Sequence, residues 1–560
     1  MNENTKEKHL SEKLKTGFPK KLLIWTLGLA LVLGILHWQS FNLNDAFNMN
    51  PAVPWLVSLL FIPVTILMWG LWTFFWAKLR LVGLFILMTP IVFFTLYAPN
   101  FLGDANFIGF KPRFWTRDAN FAEVTSEAAN VDVATTTPFD FPQFLGANRN
   151  AQVDSVRLKP WAGENGTLPE QLWKIDIGEG WSGFAVVNGF AITQEQRGAE
   201  ELVTCYDIQT GELKWANRAA RRHEDRMGMG KVGPRATPTI HQGRVYATSA
   251  TGVLDCLDGA TGENIWTVDV PNLVGIKQMP NTNSLGLEYT QEDSTMTWGR
   301  SGSPLIVDDM VVVIAGGPAP AETETPPTTA TLIAFDKNTG EERWRGGKRM
   351  VGYGSPSLAT VAGTRQILLT AEQHAVGHDV ATGKELWNFE RPGQTSGAAN
   401  CSQVTVISND QLMLTKGYGA GGELVKVEKD DNGSFSVTSI KKSPRVLKTK
   451  LTNPVIYQGH AYSLSDGFLE CAEVETLRRK WKQRGRFGNG QLLLVGDKLI
   501  VHCEVGGLYL VEADPTEFKE IGAIDTIEGI CWNTIALYND LLLVRSELEA
   551  ACYRLPTESQ

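Results

Sequence analysis

Residues 205–215 read Cys-Tyr-Asp-Ile-Gln-Thr-Gly-Glu-Leu-Lys-Trp, and the pattern returns along the chain. It recurs as Cys-Leu-Asp-Gly-Ala-Thr-Gly-Glu-Asn-Ile-Trp at 256–266 and as Ala-Phe-Asp-Lys-Asn-Thr-Gly-Glu-Glu-Arg-Trp at 334–344. Residues 377–387 read Gly-His-Asp-Val-Ala-Thr-Gly-Lys-Glu-Leu-Trp, and a degenerate copy runs over 471–481. Each position has a physical task. The residues before the Asp alternate as a strand does, and the Asp carboxylate can accept from the backbone two residues on to close an Asx-type turn. The Gly supplies the positive φ of a tight hairpin. The next strand delivers a Trp, whose ring seeks burial while its indole N–H needs a partner. A small residue (Cys, Ala or Gly) stands ten before each Trp. That substitution pattern predicts a small buried site at Cys205, Cys256 and Cys471 rather than reactive thiols.

Upstream of the copies lies a second signature, a small polar residue and a Pro leading into an apolar strand. It appears as Thr237-Pro238-Thr239-Ile240, Ser303-Pro304-Leu305-Ile306, Ser355-Pro356-Ser357-Leu358 and Asn453-Pro454-Val455-Ile456. Together the two signatures give four strands in roughly 40–50 residues, the period of a propeller blade. Outer strands are expected at Trp215, Trp266, Trp344 and Trp387, near Val437, at Trp481 and near Phe518. The segment Trp532 to Leu555 holds three strands and lacks a fourth. Leu172-Trp173-Lys174-Ile175 matches a Trp strand and stands alone, so it is expected to complete the last blade and leave the ring without an open end. The fold class expected is an all-β eight-bladed propeller over 141–560, with Trp173, Trp215, Trp266, Trp344, Trp387 and Trp481 as its structural repeat residues.

A chain of 560 residues exceeds one compact core, and 20% charged with 43% hydrophobic residues excludes a mostly disordered one. A formal charge of −9 argues against a nucleic-acid partner. The first hundred residues read as membrane. Uncharged runs at about 22–38, 53–77 and 81–98 predict three transmembrane helices within 22–99, in contact with the lipid bilayer. None carries an internal Asp, Glu, Lys or Arg, which favours an anchor over a transport path. Lys6, Lys8, Lys13, Lys15, Lys20 and Lys21 make 1–21 a basic cytoplasmic N-terminus. An odd number of crossings then delivers a periplasmic linker, 100–140, and the propeller to the periplasmic side of a bacterial inner membrane. Within that linker, 118–138 has little to bury and is expected to be a flexible tether.

The repeat Ala-x-Asp-x-x-Thr-Gly-x-x-x-Trp over roughly 170–555 resembles the pyrroloquinoline quinone (PQQ) repeat family of β-propellers. The lead-in Phe141-Pro142-Gln143-Phe144-Leu145-Gly146 is similar to theirs as well. That family includes quinoprotein alcohol dehydrogenases, membrane-bound glucose dehydrogenase and the propeller lipoprotein of the outer-membrane barrel assembly machinery, to which this chain is closest in character. The enzymes, as the resemblance implies, hold PQQ over the ring axis with a calcium ion, an Asp base and commonly an adjacent Cys–Cys disulfide. This chain has no adjacent Cys pair, and no Glu, Asn or Asp in it matches those motifs. No catalytic or metal residue is therefore assigned, and no cofactor is expected; PQQ with calcium is the alternative.

Arg235, Arg300, Lys450 and Arg486 each precede an inner strand by three or four residues. Equivalent points on different blades converge near a propeller axis, so the four predict a cationic ring for a polycarboxylate or an acidic peptide. The alternative is that they pair with blade-edge carboxylates. His374 and His378 lie on a strand without a third ligand at metal spacing. Gly228-x-Gly-x-x-Gly233 precedes a Pro-containing strand, not the helix a dinucleotide fingerprint requires. Two long connections, 217–234 with Arg218, Arg221, Arg222 and Arg226, and 271–298 with Met279, Leu285, Leu287 and Tyr289, are candidate recognition surfaces. Residues 318–329 are expected to be a mobile hairpin tip. The reading favoured is a membrane-anchored periplasmic propeller that binds or scaffolds a periplasmic or membrane protein. A membrane-bound PQQ-dependent dehydrogenase of alcohols or sugars and a sensor or transport accessory subunit stand as alternatives.

Overall fold

Each repeat folds into a four-stranded antiparallel sheet whose third and fourth strands form the Asp–Gly hairpin quoted above. In this computed structural model the described residues are 20–41, 52–75, 79–101, 107–112, 119–123 and 131–558. Gaps within the last span fall at 164–165, 226–229, 277, 283–285, 293–296, 317–329, 351, 394–398 and 484–486. The chain divides into two compact units, Met1–Asp118 and Ala119–Gln560.

The second unit is a ring of eight blades. Blades 1 to 7 are the sheets over 185–219, 239–269, 305–346, 357–390, 405–443, 455–482 and 491–525. Blade 8 takes three strands from 536–554, and its outer strand is Glu170–Asp176, with Cys552 opposite Trp173. The N-terminal strand thus closes the ring, as its lone Trp motif predicts. The turn carboxylates do what their spacing requires: Asp207 Oδ1 accepts from the amides of Gln209 (2.9 Å) and Thr210 (3.0 Å), and Asp258 repeats the arrangement.

The repeat Trp side chains stitch each blade to the next. Trp173 donates its indole N–H to Ile208 O of blade 1 (2.8 Å), Trp215 to Gly259 O of blade 2 (3.0 Å), and Trp344 to Val380 O of blade 4 (3.1 Å). The Thr-Gly glycine of the receiving blade lies directly under the ring. A Cβ on Gly211 would come 2.7 Å from Trp173, and one on Gly340 would come 2.9 Å from Trp266. Where the Trp is missing, its counterpart changes too. Lys441 holds the position in blade 5, and blade 6 answers with Leu477, not Gly, in the turn. Trp387 faces the longer blade 5 hairpin and turns back to Gln366 Oε1 of its own blade (2.6 Å). Every cross-strand partner of a repeat Trp is small: Cys205, Cys256, Ala334, Gly377, Cys471 or Cys552. These cysteines are buried, and burial pushes the Cys256 thiol up to about 11 and Cys471 to about 12.

The first unit contains helices α1 (Lys20–Phe41), α2 (Ala52–Phe75) and α3 (Arg80–Leu96). Trp69 Nε1 of α2 donates to Thr26 Oγ1 of α1 (3.0 Å), and Trp25 Nε1 of α1 reaches Thr65 Oγ1 of α2 (3.3 Å). Among the described residues two helices, α1 and α2, are long and apolar enough to cross a membrane. The expectation of a third spanning helix is corrected. α3 has 17 residues, about 25 Å at ~1.5 Å per residue against a hydrocarbon core of ~30 Å. The chain leaves it directly into a β-hairpin, Tyr97–Phe101 paired with Phe107–Pro112. The lysines before Lys20 lie outside the described residues.

The stretch expected to be a flexible tether packs against the ring where it is described. Val131 and Val133 are buried in the seam of blades 1 and 2. Phe121 bridges Asp176 on the outer edge of blade 8, and the Arg197 guanidinium lies 4.7 Å over its ring.

Candidate functional site: the loop face of the ring

All eight inner strands start on one face, where the long inter-blade connections also arrive. The Ser/Thr-Pro signature explains how this face is held. Proline has no N–H to give the ladder, so the neighbouring hydroxyls clasp adjacent blades. Gly183 N donates to Thr237 Oγ1 (3.2 Å), Thr237 N to Ser303 Oγ (2.9 Å) and Ser303 N to Ser355 Oγ (3.0 Å). Gln403 N donates to Asn453 Oδ1 (2.7 Å), and Asn533 Nδ2 to Ser182 O (2.8 Å). The result is a polar collar around the axis.

The axis is filled from the opposite side by the chain's own lead-in segment, 139–153, which touches every blade. Phe139 meets Tyr538 of blade 8 with ring centroids 6.5 Å apart, and Phe141 bridges Val186 of blade 1. Pro142 O accepts from Ile240 N of blade 2 (2.8 Å). Arg149 donates to Pro304 O of blade 3 (2.5 Å) and to Pro356 O of blade 4, and its own carbonyl accepts from Gln403 Nε2 before blade 5 (3.1 Å). Gln152 Nε2 donates to Ile456 O of blade 6 (2.8 Å), and Gln152–Val153 pair in parallel with Leu494–Val495 of blade 7. Among the described residues the Arg149 guanidinium donates to the main-chain carbonyls of Ser303, Pro304 and Pro356, and burial draws it down to about 9.

The four cations proposed from spacing are placed as follows. Arg300 is 1% exposed and donates to Ala315 O. Arg235 donates to Gly230 O (2.8 Å), Lys231 O (3.3 Å) and Gly233 O, and burial lowers it to about 10. These two share one neighbourhood. Ala250 O accepts from Arg300 N (2.9 Å), and Ala250 N donates to Glu201 (3.3 Å), whose carboxyl burial raises to about 7 while Arg221 and Arg235 partly offset it. Lys450 stands apart at the junction of blades 5 and 6, 3.9 Å from Asp466 and 5.7 Å over the Tyr418 ring. Arg486 lies outside the described residues.

The spacing argument missed a denser cluster between blades 7, 8, 1 and 2. Trp181 and Trp532 occupy the same position in successive inter-blade loops, and their rings lie 4.5 Å apart. Lys231 Nζ pairs with Glu547 (2.5 Å) and sits 5.9 Å over the Trp181 ring. Glu504 accepts from Trp532 Nε1 (2.7 Å) and Asn489 N (2.9 Å). Burial, only partly offset by Arg222 and Lys231, raises the Glu179 carboxyl. The signal was present: Trp181 and Trp532 each stand four residues before the start of an inner strand, at Ala185 and Ala536. Of the long connections, 271–298 is pinned by Trp298, whose ring lies 5.8 Å from Tyr353, and it projects a hairpin, Gln278–Thr282 with Glu288–Glu292, in which Met279 is exposed. In the Arg-rich connection Arg221 pairs with Asp255 (2.5 Å), while Arg226 lies outside the described residues, as do Leu285 and 318–329. His378 Nδ1 is 2.8 Å from Gly383 O and His374 Nε2 is 3.1 Å from Arg349, so the histidine pair serves the strand.

PQQ with calcium asks for cations free to meet carboxylates and for a cluster of oxygen donors. On this face Arg300 and Arg235 are committed to carbonyls, and Glu547 and Glu504 to Lys231, Trp532 and Asn489. Among the described residues no group of three His, Cys, Asp or Glu is placed to hold a metal ion. This donor set does not fit the cofactor.

The ring closure, the Trp-to-Gly stitch and the clasped inner strands define an eight-bladed propeller of the PQQ-repeat class. The chain belongs to the family described as outer membrane protein assembly factor BamB, whose model matches residues 169–281 and 199–483, together more than half of the chain. No curated protein matches it. Among solved structures it is similar to BamB from Moraxella catarrhalis, at 16% identity and a TM-score of 0.45, covering 69% of this chain and all of that one. It is also similar to quinohemoprotein alcohol dehydrogenase from Comamonas testosteroni, at 13% identity and a TM-score of 0.52, covering 77% of this chain and 83% of that one. A europium-containing methanol dehydrogenase shares 11% identity at a TM-score of 0.52, covering 74% of this chain and 91% of that one. At such identities the likeness is one of fold.

Proposed function

We propose that this chain is a membrane-anchored propeller that binds or scaffolds protein partners through its loop face. The observation that supports the reading is the internal commitment of that face. Its buried cations and carboxylates bond to one another and to carbonyls, and the axis is filled, so the ring offers a rigid surface, not an open cofactor pocket. Membership in an outer-membrane assembly factor family agrees with this. α1 and α2 supply the anchor. We place the ring on the periplasmic side of the inner membrane; two crossings, by α1 and α2, return the chain to the side it started from, so the cytoplasmic start expected for residues 1–21 is given up together with the third crossing. A reporter that is active only after export, fused at residue 140, tests the placement.

The functional test is calorimetry of the detergent-solubilised full chain with PQQ and calcium. Absence of heat, together with site-specific photo-crosslinks to a defined partner band from Met279 and from Val505, which is exposed in the turn between the second and third strands of blade 7, supports the scaffold. Tight PQQ binding lost in Arg300→Ala overturns it and supports the dehydrogenase reading.

A further inference from the structure

The outer strand of blade 5, Phe435–Ser443, differs from its counterparts in two ways. It has nine residues, six of them exposed, whereas the outer strands of the other blades have four to seven. It carries Lys441 at the stitch position, so no indole ties its surface to blade 6. As in the outer strand of every other blade, the register leaves one bulged residue without a cross-strand partner; here it is Ile440, 45% exposed, and in blade 2 it is Ile265, 42% exposed. A bulge leaves its extra residue unpaired and re-aims the side chain.

The C-terminal end of this strand is basic in a chain of net charge −9, while the exposed acids of blade 5, Glu428, Asp430 and Asp431, lie at the other end, around its hairpin turn. Lys441, Lys442, Arg445, Arg478 and Lys480 are all exposed on blades 5 and 6. The acids beneath them are already engaged. Glu423 pairs with Arg391 (3.0 Å) as well as with Lys442 (3.2 Å), and Glu470 with Arg479 (2.9 Å).

Two outer edges of this same ring already carry added chain. On blade 7, Trp161 N and Ala162 N both donate to Ile521 O (2.9 and 3.0 Å), and on blade 8 Phe121 bridges Asp176. An unpaired outer strand presents a row of free amides and carbonyls that a further strand can complete. Lysines on such an edge repel most strands, other copies of themselves included, and admit one that brings carboxylates.

We propose that the outer edge of blade 5 is a docking strand for an extended, carboxylate-rich segment of a partner protein, with Ile440 as its apolar contact and Lys441 and Arg445 selecting for acid. The proposal rests on the protein-binding reading above and specifies one surface for it.

The experiment uses the full chain in detergent and a labelled extended peptide of alternating Val and Glu, with a Val/Lys peptide as control. The expected result is binding of the acidic peptide alone and slowed amide exchange confined to 436–443. Affinity should fall at least tenfold in Lys441→Glu/Arg445→Glu, which spares the Lys442–Glu423 pair, with an unchanged thermal midpoint. Acidic-peptide binding that survives the double variant, or protection that maps elsewhere, overturns the proposal. So does the absence of peptide binding, including the case where only vesicles of anionic lipid respond to the double variant. The photo-crosslinks from Met279 and Val505 are independent of this edge, so their persistence would leave the scaffold reading standing while this surface falls.

Discussion

The indole of Trp215 in blade 1 rests on Gly262 of blade 2 so closely that a Cβ on that glycine would come 2.5 Å from Cε3. The glycine has φ +74°, so two demands meet at one residue. The hairpin needs the left-handed conformation, and the neighbouring blade needs the empty space.

Those demands are separable by substitution. Gly262→Ala is expected to cost about 1–2 kcal/mol for the backbone and a further ~1–3 kcal/mol for displacing the ring. Gly363 has φ +72° with nothing within 4 Å of its Cβ position, so Gly363→Ala should cost only the backbone share. Urea midpoints of the two variants check this; equal losses would mean that the Trp contact carries no stability.

Blade 7 has Gly522 at the position that a repeat Trp holds in six blades and Lys441 in blade 5, and Trp161 of the N-terminal segment covers it, with Cγ 3.0 Å from the Cβ position. Trp161→Ala should therefore destabilise as a repeat Trp does, by about 3–5 kcal/mol. Trp215→Ala measured alongside provides the comparison.

Arg149→Met removes the guanidinium that serves the carbonyls of Ser303, Pro304 and Pro356. Leaving such groups buried without donors costs roughly 1–3 kcal/mol each, so a fall of several kcal/mol is expected, with little rescue by Arg149→Lys, whose single ammonium cannot span blades 3 and 4. Hydrogen exchange at the inner strands of those blades should rise first.

His502 in blade 7 is fully buried with neither ring nitrogen hydrogen-bonded, and burial lowers it from 6.5 to about 3. Its folded pKa lies below its unfolded one, so the folded state gives up a proton that the unfolded state keeps. Stability from this group is complete above about pH 6.5 and is lost as pH falls toward 3. Counted from the first turn, the corresponding residue of blade 6 is Leu464. His502→Leu should be stabilising, by a margin that widens between pH 7 and pH 5. A pH-independent difference would show that the imidazole is not held neutral by burial.

The ring and its closure were legible because each blade repeats a local rule. Asp closes a turn, Gly opens a left-handed position, and Trp ten residues from a small partner crosses to the next blade. Lys441 and Trp161 escaped, the first because its blade breaks the rule and the second because it satisfies the rule from outside the repeat. The plug escaped for a different reason: Arg149 binds main-chain carbonyls, which every residue has and no motif marks. Spacing brought Arg235 and Arg300 to the loop face but could not show that carbonyls would take their donors. Apolar runs located the helices, whereas the 17-residue length of α3 depends on where the following hairpin starts.

The lead-in segment has one more consequence, for the order of synthesis. Residues 139–153 and the strand Glu170–Asp176 leave the ribosome before any blade, yet the strand finds its sheet only when 536–554 has been made, and the segment needs all eight inner strands around it. The first-made pieces must wait for the last. A ring assembled this way has no finished intermediate with seven blades, so a chain stopped short of residue 536 is left with an unmated strand and an empty hub, a form that quality-control proteases can recognise.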